Sequence, residues 1–126
     1  MQNNIIELEN EAGIIEITIN KKDNNIDGLD NLDSIPEIPA VYAICGRVNG
    51  IVANCRFVGT SENLRATVTR HFGDDETYGC LKTFMQSIKV KVLLYQQIDS
   101  SAAEGKLAEW KANLRPECND ALNKIH

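Results

Sequence analysis

The stretch Cys55–Phe72, CRFVGTSENLRATVTRHF, places two arginines and a histidine on a segment that reads as a strand end, a glycine turn and an amphipathic helix. Histidine changes charge near neutral pH and so moves protons, and a planar guanidinium grips phosphate oxygens in pairs. His71 is therefore a candidate proton carrier, and Arg65 and Arg70 are candidate phosphate contacts. Tyr42, on an apolar run upstream, adds a hydroxyl that can donate or accept. Each has a plainer reading. His71 sits at the edge of an apolar stripe, and spacing brings no second histidine or carboxylate beside it, as suits a hydrogen-bonded structural residue. Arginines on an exposed helix flank are usually solvated, and a tyrosine on an apolar strand face often packs inward. Gly59 is, with Arg65, a candidate substrate contact, and its plainer reading is backbone geometry and close packing, where a side chain would intrude.

The elements that must position these residues are legible along the chain. VYAICGRV and IVANCRFV flank Asn49-Gly50, a type I′ hairpin signature, because both central residues need positive φ and these two tolerate it. A two-residue loop pairs Val48 with Ile51, Ile44 with Cys55 and Tyr42 with Phe57, the last two rings directly opposite on one face. The same register pairs Cys45 with Asn54, pointing away from Cys55, so no disulfide is expected between those two. The helix after Gly59 is expected to start with Ser61 as its N-cap, to bury Leu64, Val68 and Phe72, and to end at Gly73 and Asp74. A short helix follows over about Thr77–Gln86. IKVKVLLYQQI then reads as a strand with Ile88, Val90, Val92 and Leu94 on one side. A last helix, SAAEGKLAEWKANL, aligns Ala103, Leu107, Trp110 and Leu114 ahead of Pro116. Upstream, IIEL (5–8) and IIEITI (14–19) suggest an N-terminal hairpin, which either joins the main sheet or packs apart from it, followed by DNNIDGLDNLDSIPEIP, a turn-rich connector anchored by Leu32 and Ile35.

At 126 residues the chain is the size of one domain with its own core, and its composition is that of an ordinary globular protein. It has no run of about 18 apolar residues and no basic, apolar leader at its start, so a cytoplasmic protein without a membrane segment is expected. The four cysteines (Cys45, Cys55, Cys80, Cys118) show no paired metal-binding spacing and are expected as free thiols. Net charge is −5, with nine acids against two lysines up to Ala40 and eleven bases against nine acids after it. That balance argues against strong sequence-independent DNA binding while leaving room for a local basic groove.

Taken in order, AVY at Ala40–Tyr42 with its lead-in IPEIP, FVG at Phe57–Gly59, TSENL followed by Val68 and His71, and LRPECN at Leu114–Asn119 resemble the GIY-YIG endonuclease domain. The resemblance covers roughly Leu32–Asn119. It implies an α/β (α+β) fold, a small central antiparallel or mixed sheet flanked by helices over residues 32–126, with residues 1–31 as an acidic arm. The family's chemistry is metal-assisted phosphodiester hydrolysis, in which a hard cation polarises the phosphoryl oxygen. Carried over, Tyr42 matches the first-motif tyrosine that helps activate water. Phe57 stands where the second tyrosine is expected and has no hydroxyl. Thr67 stands in place of the helix arginine, and Leu107 in place of the metal-holding glutamate. Three of the four functional positions are changed. The reading that follows is a degenerate, catalytically impaired member that binds nucleic acid or a protein partner and needs no cofactor. The alternative is an active Mg²⁺- or Mn²⁺-dependent endonuclease, in which Arg70, 60° around the helix from Thr67, and Glu104, one turn before Leu107, act as displaced replacements, Glu104 holding the metal.

Overall fold

The structure is a computed structural model that describes residues 13–19, 32, 34–72, 79–87 and 90–118. Residues 5–8 of the expected N-terminal hairpin, the helix end at Gly73 and Asp74, the helix start at Thr77, Ile88 and Asn119 lie outside the described residues. Four strands form one antiparallel sheet in the order β1-β4-β2-β3: β1 (Ile14–Ile19), β2 (Ala40–Val48), β3 (Ile51–Ser61) and β4 (Lys91–Gln97). With α1 (Leu64–His71), α2 (Gly79–Met85) and α3 (Ala103–Leu114) they make an α+β fold. β1 belongs to the expected acidic arm, yet it pairs with β4 along its whole length, Ile14 opposite Gln96 to Ile19 opposite Lys91. The arm therefore contributes a strand to the main sheet.

Both faces of the sheet are covered, which explains why Ala40–Cys45 and Val92–Tyr95 are nearly unbroken apolar runs. One face carries Tyr42, Ile44, Phe57, Leu93 and Tyr95 and packs under α1 and α2 through Leu64, Val68, Phe72, Leu81, Phe84 and Met85. The other carries Val41, Ala43, Val58, Val92 and Leu94 and packs under α3 through Trp110, Leu114 and the half-buried Leu107. The expected stripes of α1 and α3 and the shared side of Val92 and Leu94 are thus present. Ile35 is fully buried and Leu32 packs beside it, so the connector is anchored as its apolar residues suggest. No helix among the described residues is long and apolar enough to cross a membrane.

The hairpin turns at Asn49 and Gly50, both with positive φ (54° and 81°), and Val48 faces Ile51 as expected. The register then departs from the uninterrupted ladder. Gly46 faces Ala53, but Ile44 faces Phe57 and Tyr42 faces Gly59, so three residues of β3 (Asn54, Cys55, Arg56) span the one residue Cys45 of β2. Asn54 makes the bulge possible by taking a left-handed conformation (φ 56°), which asparagine tolerates better than most residues. An offset of two residues keeps Phe57 on the Tyr42 face but moves it one pair along. Inside the bulge the alternation is broken, and Cys55 turns to the opposite face, into the same cluster as Cys45. Those two thiols are free, as expected, although for a different reason than the assumed register supplied. Cys80 and Cys118, by contrast, are disulfide-bonded with Cα atoms 5.4 Å apart, so four free thiols is incorrect. The pairing joins residues 38 apart in sequence, and local spacing carries no trace of it.

Helix α1 is capped by Asn63, not Ser61. The Asn63 side-chain oxygen accepts from the Ala66 amide at 3.1 Å, while Ser61 closes β3 and its hydroxyl accepts from the Asn63 amide at 2.9 Å. The longer strand pushes the helix start two residues on.

Candidate functional site

Tyr42 lies mid-strand between Gly59 on β3 and Tyr95 on β4. Because Gly59 has no side chain, the Tyr42 ring settles over it. A Cβ at position 59 would stand 2.8 Å from the Tyr42 hydroxyl oxygen, 3.0 Å from Tyr42 Cζ and 3.0 Å from Phe57 Cε2. The glycine thus serves close approach, the role its position in the sequence suggests. From above, α1 brings His71 down onto the same spot, and the Tyr42 hydroxyl and His71 Nε2 are hydrogen-bonded at 2.7 Å. Phe57 completes the group edge-on to His71, with ring centroids 5.2 Å apart. Tyr42 is 2 % exposed and His71 8 %.

This arrangement decides what the group can do. Water activation by a phenol needs a water molecule and a phosphate at the hydroxyl, and here the hydroxyl is occupied by an imidazole inside an apolar core. A buried polar pair that satisfies itself stabilises the packing around it, since either partner left alone would carry a desolvation cost of roughly 1–3 kcal/mol. Tyr42 and His71 are accordingly core residues that hold α1 to the sheet.

The remaining sequence candidates hold other positions. Thr67 is half-buried and bonds through its hydroxyl to that of Ser61 at 2.6 Å, bracing the start of α1. Arg65 donates from Nε to the Ile35 carbonyl at 2.7 Å and stands 3.8 Å from Glu37, tying α1 to the connector. Arg70 is exposed in the last turn of α1. Glu104 is exposed in the first turn of α3, the helix that packs on the face of the sheet opposite Tyr42. Leu107, where the resemblance expects a glutamate, packs beside Trp110 on that same far face. Tyr42, His71, Gly59 and Phe57 come together, whereas Arg65 is tied to the connector, Arg70 is exposed and Glu104 sits on the helix of the other face. Among the described residues no three histidine, cysteine or acidic side chains are placed to hold a metal ion.

A second constellation escapes sequence reasoning. At the β3 bulge the Arg56 guanidinium lies 4.7 Å from the centroid of Phe84, and the Lys91 ammonium lies 5.3 Å from the same centroid. Lys91 is almost fully buried and donates to the Ser87 carbonyl. Arg56 pairs with Glu117, and on the neighbouring strand Arg47 pairs with Glu16 and donates to Thr18. A cavity of about 320 Å³ between Arg47, Asn54, Arg56, Phe84 and Val90 opens beside them. The one sequence signal was Asn54, a residue suited to left-handed backbone inside an otherwise extended run.

Comparisons with protein-family models, with curated proteins and with solved structures found no match for this chain.

Proposed function

We propose that this chain is a GIY-YIG-like domain that does not hydrolyse phosphodiesters and works as a binding module, with a protein as the favoured partner. The observation that carries the loss of catalysis is the buried hydrogen bond between Tyr42 and His71, which commits the hydroxyl the family's mechanism would need. Supporting the family reading, a β-hairpin, two helices, a strand and a helix follow one another in the expected order around an antiparallel sheet. Against an active enzyme stand Thr67 and Leu107 at the arginine and glutamate positions, and the placement of Glu104 on α3, which packs on the sheet face opposite Tyr42. A Mg²⁺- or Mn²⁺-dependent site built from Arg70, Glu104 and Tyr42 would need all three on one side.

A protein is favoured over nucleic acid because three arginines of the sheet and α1 are engaged within the chain, Arg47 with Glu16, Arg56 with Glu117 and Arg65 with Glu37. Net charge is also acidic, which opposes the phosphate contacts that dominate nucleic-acid affinity. At the hairpin tip, Val48 and Ile51 are 47 % and 57 % exposed, an apolar pair suited to a protein surface. The test is incubation of the purified chain with supercoiled plasmid and Mg²⁺ or Mn²⁺, with labelled DNA and RNA tested for retardation at low salt. No nicking above the metal-only control and no retardation are expected. Nicking that disappears in Tyr42→Phe or Glu104→Ala defeats the loss of catalysis, and retardation at low salt returns nucleic acid as the partner.

A further inference from the structure

Helix α3 lies on one face of the sheet and α2 on the other, so the chain after Leu114 has to pass around the edge strand β3. Arg115, in the left-handed conformation (φ 49°), ends α3 and turns the chain. The next residues then lie along the bulge. Glu117 N–H donates to the Cys55 carbonyl at 3.1 Å and Cys118 N–H to the Arg56 carbonyl at 2.7 Å, and the Glu117 carboxylate pairs with Arg56. Cys118 is fully buried in the cluster under α2, where its sulfur is bonded to Cys80. Residues 115–118 therefore form a strap across the sheet edge, held by two backbone hydrogen bonds, one ion pair and one covalent bond.

The two sulfurs differ in access. Cys80 is half-buried on α2 and lines a surface cavity of about 240 Å³ with Arg56, Thr83, Phe84, Ser87 and Glu117, whereas Cys118 is sealed. An incoming thiolate reaches Cys80 first, through a cavity whose wall carries the Arg56–Glu117 ion pair. We propose that Cys80–Cys118 is a thiol–disulfide exchange site for low-molecular-weight thiols, and that exchange there releases the strap from the β3 edge. In the first step a thiolate attacks Cys80 Sγ. The new sulfur–sulfur bond forms as the Cys80–Cys118 bond breaks, and the electron pair leaves with Cys118 Sγ, which takes a proton from water as the strap opens. A second thiolate attacks the adduct, giving the small-molecule disulfide and the Cys80 thiolate, so that two thiols supply the two electrons. Release leaves the Cys55 and Arg56 carbonyls as unmet acceptors on the sheet edge and frees Arg56 from Glu117. The site uses none of the residues around Tyr42, so it stands apart from the binding-module reading.

The experiment uses the full chain, oxidised and then titrated with reduced glutathione in native buffer. Thiols are counted by alkylation and mass, and amide exchange is followed at Glu117 and Cys118. The expected result is alkylation of both cysteines without denaturant, with exchange at those two amides faster by about tenfold or more, as for a locally opened segment, and unchanged protection along β2 and β4. A brief reaction quenched in acid is expected to carry the glutathione adduct on Cys80. The proposal is overturned by a disulfide that resists reduction until the chain is unfolded, by amides at 117 and 118 that stay protected after reduction, by loss of protection through the whole sheet, or by an adduct on Cys118.

Discussion

Replacing Gly59 by alanine tests the packing on which the case against catalysis rests. The added methyl would sit 2.8 Å from the Tyr42 hydroxyl oxygen and 3.0 Å from both Tyr42 Cζ and Phe57 Cε2, where unstrained carbon contacts lie at about 3.5–4.0 Å. Tyr42 cannot withdraw cheaply, because it is 2 % exposed and its hydroxyl is bonded to His71. Overpacking of this kind costs roughly 1–3 kcal/mol. Alanine also restricts the unfolded chain, which returns about 0.4–1 kcal/mol, since the backbone at position 59 is outside the left-handed region. The net expectation is a loss of about 1–2 kcal/mol. Tyr42→Phe alone removes the hydroxyl and leaves His71 Nε2 without that partner, at a cost of about 1–3 kcal/mol. In the double variant the methyl fills the space the oxygen has left, so the two losses fall short of their sum by about 1 kcal/mol, the coupling expected of residues in contact. Urea unfolding followed by the fluorescence of Trp110, the single tryptophan, measures all four corners of the cycle. A Gly59→Ala chain as stable as the parent, with no coupling to Tyr42→Phe, would mean that the ring is not seated on Gly59 and that the hydroxyl faces an open cleft.

Two further outcomes follow from local structure. Asn63→Ala removes the side-chain acceptor of the Ala66 amide and is expected to lower stability by about 1 kcal/mol, read from the same unfolding midpoint; an unchanged midpoint would return the cap to Ser61. Burial raises the Tyr95 phenol above the ordinary tyrosine value, so the neutral form is the one favoured by folding. The corresponding stability is fully present below the unfolded value of about pH 10 and is lost as pH rises through the folded value. Tyr95→Phe is expected to flatten the alkaline fall in unfolding free energy, and an identical slope in parent and variant would refute the assignment.

The hairpin at Asn49-Gly50, the stripe Leu64, Val68 and Phe72, and the face of α3 through Leu107, Trp110 and Leu114 were all readable, because each is a matter of residues a few positions apart. So was the absence of a guanidinium at Thr67 and of a carboxylate at Leu107, which are facts of residue type alone. The register beyond Gly46 was not readable. It depends on Asn54 turning left-handed and on the Cys55 and Arg56 carbonyls bonding to Glu117 and Cys118, more than sixty residues away in sequence. The N-cap was misplaced for a similar reason: β3 runs on to Ser61 because Ala40 pairs with it.

By itself the sequence determined that the chain forms a hairpin-led α+β fold, with Thr67 and Leu107 neutral at the positions where the proposed resemblance expects charge. Periodicity records which side of a segment faces a core, and residue type records which groups could do chemistry there. Only the tertiary structure decided that Tyr42 is a core residue bonded to His71, that the helix carrying Glu104 packs on the other face of the sheet, and that Cys80 meets Cys118. Those are meetings between remote segments. Their outcome depends on which elements share a face and which pass around an edge, and the chain specifies that through the packing of the whole fold.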